Sequence, residues 1–342
     1  MATSTLEPSS HSVPPFAEHD KLGPLGAKTS VLENELELRR ALVGAFAATA
    51  EAARDAAAKV DSNLHTAVHD YRKALRRARA VLSLLDGALP RSERRAVRRA
   101  LQEARRAVSG ARDQAVAPEV LNGLSLDEIS REAANAVIAN AAAAMPPAAE
   151  IEQLLAEGAA RAAAQVGALE AALPQELAWK TVADGVRAIY ADARDARKSA
   201  KTSKRKFHSW RRRSKELTYA LEVLAGFAAH HVNELQHEIE TVTDVASPAV
   251  DLVMVRDFVR TYGQGIAPQA FEQLVATLDH QLDDLMRYAR SAGKSVFARS
   301  PKKFERRLTK AVKKDLAPPS DEPDELDELS GSDSDSADHV PG

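Results

Sequence analysis

Cysteine is absent from the sequence and aromatic side chains are scarce, with eight Phe, two Trp and five Tyr in 342 residues. Without a thiol there can be no disulfide framework, thiolate zinc site, cysteine nucleophile or Cys-ligated iron centre. The shortage of aromatics removes side chains that sheets favour, whereas alanine, present at 66 positions, is the best helix former. No apolar run approaches the ~18 residues that span a bilayer, and the N-terminal stretch MATSTLEPSSHSVPPF has neither a basic nor an apolar signal region. These absences predict an all-α, cytoplasmic protein with no membrane partner, and 44% apolar residues suffice for a core.

The charges are segregated. Residues 317–342 hold nine acids and no Lys or Arg, which leaves the body with 47 Lys and Arg against 40 Asp and Glu, a net +7. That excess is concentrated: Arg72 to Arg112 contains 13 basic residues against 3 acids, and Arg194 to Lys215 contains 11 against 1. Clusters of this kind point to a polyanionic partner.

Composition divides the chain into a disordered N-terminal segment, 1–29, a helical domain, 30–316, with halves of about 30–173 and 174–316, and a disordered acidic tail, 317–342. Ser30 with Glu33, and Ser125 with Glu128, have capping-box spacing, and Pro90, Pro118, Pro146 and Pro174 read as helix stops. In particular, one helix is expected from Ser92 to about Val116, ending before Pro118. About ten helices with short Pro/Gly punctuation and no credible strand make a bundle protein.

Two segments repeat. VHDYRKALRRARAVLSLL (68–85) aligns without gaps on FHSWRRRSKELTYALEVL (207–224), pairing His69 with His208, Tyr71 with Trp210, Arg72 with Arg211 and Leu82 with Leu221. This reads as an internal duplication, two half-domains facing each other. At 100° per residue, His69, Arg72, Lys73, Arg76, Arg77 and Arg79 share one face, opposite an apolar stripe that includes Tyr71, Leu75 and Leu82. The second copy places His208, Arg211, Arg212 and Lys215 opposite Trp210, Leu217 and Leu221. Arg98, Arg105 and Arg112 recur every seven residues on the next helix, and Arg187, Arg194, Arg197, Lys198 and Lys201 form a fourth stripe before His208.

Like charges at i,i+4 spacing repel, so these faces imply a counter-ion that the protein does not supply. The sites are distributed, so the partner should be linear and repetitive. Single-strand nucleic-acid binders carry aromatic platforms on the charged face, but Tyr71 and Trp210 point the other way, and Asn or Gln to read bases is missing. A phosphate chain without bases fits best, ahead of weak sequence-independent nucleic-acid binding and of a polyphosphate-metabolising enzyme or its regulator. No Gly-rich phosphate loop, Gly-x-Ser-x-Gly elbow or paired carboxylates are present, so neither catalysis nor a cofactor is expected. His65 and His69 have metal spacing without a third ligand, and His230, His231 and His237 read as exposed or capping groups.

The run His69-Asp70-Tyr71-Arg72-Lys73-Ala74-Leu75-Arg76-Arg77-Ala78-Arg79, followed by Ala111-Arg112-Asp113-Gln114-Ala115-Val116, resembles the conserved-histidine α-helical domain family, CHAD. Trp179, Tyr190, Arg194 and His208 to Lys215 resemble its second half. The resemblance covers roughly residues 31–316. It implies two four-helix bundles about a pseudo-two-fold axis, a basic groove for inorganic polyphosphate, and localisation to polyphosphate granules. Two departures stand out. Thr241 to Pro248 keeps only Asp244 of the family's closing L-G-x-x-x-D-like motif. Glu35-Leu36-Glu37-Leu38-Arg39 imitates the E-x-E-x-K signature of triphosphate hydrolases, but in a helical pattern.

A flexible segment of nine carboxylates tethered to a basic surface competes with any anionic ligand at an effective concentration of about a millimolar. Deleting residues 318–342 is expected to tighten polyphosphate binding in a titration at about 50 mM salt, with the gain shrinking as salt rises and screens the tail. Equal affinities of full-length and truncated protein at low salt would show that the tail does not compete.

Overall fold

The structure is a computed structural model that describes residues 35–226 and 228–316. The Ser30–Glu33 cap, the 1–29 segment and the 317–342 tail lie outside the described residues. Among those that are described, every regular element is a helix: α1 (Glu35–Ala57), α2 (Leu64–Leu84), α3 (Arg91–Ala107), α4 (Ser109–Gly123), α5 (Glu128–Ala143), α6 (Ala148–Ala172), α7 (Trp179–Ser199), α8 (Lys204–Ala225), α9 (Ala229–Val245), α10 (Ser247–Tyr262), α11 (Pro268–Val296) and α12 (Pro301–Leu316).

The pairing of helices repeats along the chain. In the first half α1, α2, α3 and α6 pack together, and in the second half α7, α8, α9 and α12 do the same. The remaining pairs, α4–α5 and α10–α11, join each other in a third cluster. The halves meet where α2 lies against α7 and α8. Thus the segments that repeat in sequence, α2 and α8, are neighbours at the centre of the molecule.

Local chemistry explains the boundaries. Asn63 Oδ1 accepts the Thr66 N–H at 2.9 Å to open α2, and Ser203 Oγ accepts that of Lys206 at 3.2 Å to open α8. The expected Ser125–Glu128 capping box is not used. Asp127 caps α5 instead, accepting from the Ser130 N–H and hydroxyl at 2.9 Å, because a carboxylate one residue before the first turn reaches both donors. The single helix expected over 92–116 is two, divided at Val108, whose backbone leaves the helical region at φ −107° and ψ 21°. Nor does Pro118 stop the chain. It sits inside α4, where complete burial of Ala117 and Leu121 outweighs the lost backbone hydrogen bond.

With so few aromatics, alanine and glycine set how closely the helices approach. Tyr71 and Trp210 are fully buried, as their stripes require. The Tyr71 hydroxyl donates to the Ala104 carbonyl at 3.3 Å and lies over Gly158, where a Cβ would come within 1.9 Å of it. Trp210 lies over Gly293, edge-on to Phe207 and Phe297. At the joint between halves, a Cβ on Gly185 of α7 would stand 2.5 Å from the Leu84 carbonyl oxygen of α2. Backbone cannot yield there as a flexible side chain could.

Gly185→Ala is therefore expected to destabilise the protein by about 1–3 kcal/mol in denaturant unfolding. Leu75→Asp or Leu82→Asp, at positions of zero exposure, should abolish the folded state. A Gly185→Ala midpoint equal to wild type would show that the two halves are not held at this contact.

Candidate functional site

Because α2 and α8 bury their aromatic stripes, their cationic faces turn to the same side. There, with α3, α4 and α10, they enclose a cleft of about 760 Å³. Nine Arg and Lys side chains line it against three carboxylates, Asp113, Glu216 and Asp257. The cations come from α2 (Arg72, Arg76, Arg79), α3 (Arg105), α4 (Arg112) and α8 (Arg205, Arg211, Arg212, Lys215), with His208 among them. The facing wall, from α10, is largely apolar: Val250, Val253, Met254 and Phe258. A cleft lined by one sign of charge and backed by a low-dielectric wall concentrates its field into the opening.

The guanidinium groups are held in ways that leave donors over. Arg72 Nη1 donates to the Arg105 carbonyl at 3.2 Å, and Arg76 Nε donates to the Arg72 carbonyl at 3.2 Å. Arg211 Nη2 donates to Ser247 Oγ at 3.0 Å. Arg112 spans two carboxylates, Asp113 at 3.0 Å and Asp251 at 3.5 Å. Yet the Nε groups of Arg72, Arg105 and Arg211 are buried and meet no hydrogen-bond acceptor among the described residues. Arg105, Arg205 and Arg212 make no ion pair with a described residue.

The crowding shows in the proton affinities. Burial, then the neighbouring Arg105, Arg76 and Arg112, push the Arg72 guanidinium down to about 10, with Asp113 opposing. Arg105 is lowered by burial and by Arg79, Arg76 and Arg212. Arg211 is lowered by burial and Arg76, with Asp251 opposing. All remain charged at neutral pH, so the shifts record an electrostatic cost that the fold carries. His208 is lowered as well, first by dehydration from the surrounding protein, although its ring reaches solvent, and then by Arg211, Arg212, Arg112 and Arg105. His69 is lowered by the same effect and by Arg76 and Lys73.

Of the cations singled out in the sequence, the cleft gathers Arg72, Arg76, Arg79, Arg105, Arg112, Arg211, Arg212 and Lys215, together with His208. The others lie elsewhere. His69 and Lys73, on α2, do not line the cleft. Arg77 forms a two-pronged ion pair with Glu222 of α8, and Arg98 pairs with Asp86 at 3.5 Å. The α7 stripe serves the fold: Arg194 Nε donates to the Phe297 carbonyl, just past α11, at 3.2 Å and Arg197 Nη2 to that of Arg290, within α11, at 2.9 Å, tying α7 to that helix. Lys198 pairs with Asp195 on its own helix, and Lys201 is exposed past the end of α7. Counter-ions are thus supplied from within for part of the basic surface. Arg79 also faces one, Glu216 at 3.9 Å.

Three features of the cleft lie beyond the residues singled out in the sequence. Arg205 belongs to the His208 face one turn earlier, and continuing that stripe backwards finds it. Tyr219 and Tyr262 put aromatic rings in the cleft; Tyr219 lies on the cationic face of α8 itself, between Lys215 and Arg212 in projection, and Tyr262 comes from the end of α10. The Tyr262 hydroxyl receives the Gln114 amide at 3.1 Å. Finally, the divergent segment after α9 takes part, since Ser247 positions Arg211 and Asp251 holds Arg112.

Elsewhere, His230, His231 and Asp315 bring their ligand atoms within 4.8 Å of one another. The Asp315 carboxylate, however, already accepts the backbone N–H groups of His231 and Val232 and contacts the His231 ring, capping α9. Arg39, of the hydrolase-like motif, is buried within helical structure and donates to the Glu170 and Pro174 carbonyls at the end of α6. No described helix is long and apolar enough to cross a membrane.

No curated protein matches the chain. A family model of the CHAD domain does, over residues 39–260, a span that contains every side chain lining the cleft except Thr261 and Tyr262. With that match across most of its length, and with the helical, binding-type architecture just described, the chain belongs to the CHAD domain family.

Proposed function

We propose that the cleft binds inorganic polyphosphate and that the protein thereby associates with polyphosphate granules. The observation that carries this reading is the set of three buried guanidinium Nε donors, on Arg72, Arg105 and Arg211, that meet no acceptor among the described residues inside one cationic cleft. A buried donor left unpaired costs about 1–3 kcal/mol, and a non-bridging phosphate oxygen is a charged acceptor that recovers it. A chain of phosphates offers such oxygens repeatedly, matching donors spread over α2, α3 and α8. The two halves would engage it across the pseudo-two-fold relation implied by their repeated helices. Val250, Val253 and Met254 keep the other wall dry, which strengthens each contact.

Binding is expected to be steeply salt-dependent, because each neutralised phosphate releases a condensed counterion; about 6–10 contacts correspond to a loss of about 10³–10⁵ in affinity between 50 and 200 mM salt. Arg72→Glu with Arg76→Glu should cost about 3 kcal/mol or more, a hundredfold, without loss of helicity by circular dichroism. A flat salt response, or normal binding by the doubly reversed protein, would defeat the reading.

Tyr219 and Tyr262 support a second reading, a single-stranded nucleic acid stacked on the rings. Competition separates the two. If polyphosphate is the ligand, long chains displace single-stranded DNA at equal phosphate concentration and DNA does not displace polyphosphate.

His208 adds a proton linkage. Its lowered pKa keeps it neutral in the free protein at pH 7, so the fold loses stability as pH falls through about 6.5, where the unfolded chain takes up the proton first. A bound polyanion reverses that field and favours the imidazolium. Affinity should therefore rise as pH drops from about 7.5 to 6, with uptake of up to about one proton per molecule. Calorimetry in buffers of different ionisation enthalpy measures it, and His208→Gln should abolish it. Equal proton uptake in that variant would assign the linkage to another group.

A further inference from the structure

The outer face of α12 carries a second concentration of positive charge, independent of the cleft. Projected at 100° per residue, Lys302, Lys303, Arg306, Lys310, Lys313 and Lys314 fall within an arc of about 120°, and each is exposed. From 302 to 314 the row runs about 18 Å at 1.5 Å per residue. The acids of this helix are turned elsewhere: Glu305 pairs with Arg187 of α7, and Asp315 caps α9. None of the six cations forms an ion pair with a described residue. Repulsion is built in at Lys302–Arg306, Arg306–Lys310 and Lys310–Lys314, each four residues apart.

The surface is remote from the cleft. Helix α12 packs on α7 and α9, and none of these three helices contributes a residue to the cleft lining. It also lies beyond residue 260, where the CHAD family match ends. Its chemistry narrows the partner. The apolar side chains, Phe304, Leu308, Val312 and Leu316, are buried in the bundle, so nothing is left to insert into a lipid surface as an interfacial helix does. No aromatic, Asn or Gln stands on the face to stack on or read a base.

The geometry points to α12 as a second polyphosphate-binding surface, so that one molecule holds two stretches of polyphosphate, one in the cleft and one along α12, and bridges separate chains. This rests on the reading of the cleft as a polyphosphate site. The α12 surface is the weaker of the two, because its flexible lysines are exposed and screened, whereas the cleft donors are buried and fixed. Bridging needs only that both be occupied together on a long chain.

The test counts sites with inorganic tripolyphosphate by calorimetry at low salt, and follows light scattering on adding long-chain polyphosphate to the full-length protein. Wild type is expected to show two classes of site and to scatter strongly. Lys302→Gln, Arg306→Gln, Lys310→Gln and Lys313→Gln combined, in which glutamine keeps the helix, should retain the tight class, lose the weak one and lower scattering by about tenfold or more. Arg72→Glu with Arg76→Glu should lose the tight class and keep the weak one. A single class in wild type, or unchanged stoichiometry and scattering in the α12 variant, overturns the inference while leaving the cleft reading intact. No binding by wild type overturns both. A weak class that appears only after residues 318–342 are removed would assign α12 to the acidic tail and overturn bridging. Binding of α12 to anionic vesicles or DNA but not to tripolyphosphate would overturn it as well.

Discussion

The contact of α2 with α8 is the constraint from which the cleft follows. Each helix has one apolar stripe, centred on Tyr71 in one and Trp210 in the other, and each stripe is consumed by its own bundle. Once both are buried and the helices lie side by side, their opposite faces have no choice but to meet over the same space. The cationic residues are therefore brought together by hydrophobic burial elsewhere and despite their mutual repulsion. The fold limits that repulsion along the seam: Glu222 takes Arg77, and Glu216 receives the Ser83 hydroxyl at 2.7 Å while facing Arg79 and Arg213. Within the cleft this neutralisation is incomplete. Arg105, Arg205 and Arg212 form no ion pair with a described residue, and the same helix pair thus makes a stitched seam on one side and, with α3, a field-concentrating surface on the other.

Most of the architecture was legible because alanine-rich, amphipathic helices announce their own periodicity, and the alignment of 68–85 on 207–224 announced the central pair. What was not legible depended on contacts between distant segments. Pro118 reads as a terminator from local rules, and only the burial of Ala117 and Leu121 against other helices shows why α4 continues through it. The Ser125–Glu128 box lost to Asp127, since several polar residues in a row can compete for the same backbone donors and one-residue differences decide. Cations are the hardest to read. Arg72, Arg194 and Arg197 look alike on a helical projection, yet Arg194 and Arg197 bond the backbone carbonyls of Phe297 and Arg290, which no feature near them in sequence betrays. The site is thus legible where its residues share the repeated helices, and illegible where the role of a residue is set by what happens to cover it.

The aromatic rings of the cleft make the same point from the other direction. Tyr219 lies on α8 within the cationic stripe, where the same projection that gathers Arg211, Arg212 and Lys215 finds it, whereas Tyr262 arrives from the end of α10, fixed by Gln114. A projection of α8 alone finds the first ring and not the second. Their presence narrows the difference between polyphosphate and single-stranded nucleic acid from a difference of composition to one of geometry. Tyr219 is almost completely buried, and the Tyr262 ring tilts against Phe258 with centroids 4.9 Å apart, so much of the ring surface is already committed to the protein. The unsatisfied groups in the cleft are donors, and donors are what phosphate oxygens answer.

That imbalance ties stability to binding. A guanidinium lowered to about 10, buried beside others of its kind, raises the free energy of the folded protein without changing its charge at neutral pH. An anion in the cleft lowers it by the same interactions, so any ligand that neutralises Arg72, Arg105 and Arg211 together stabilises the fold as it binds. A rigid arrangement of repelling cations is costly to maintain, and here the cost is met by side chains that never touch the cleft: Tyr71 over Gly158, Trp210 over Gly293, and Leu84 against Gly185. Moving the helices apart would expose Tyr71, Trp210 and Leu84, all fully buried, so apolar burial opposes relief of the charge. The donors consequently stay in place before the ligand arrives, and binding need not pay to assemble them.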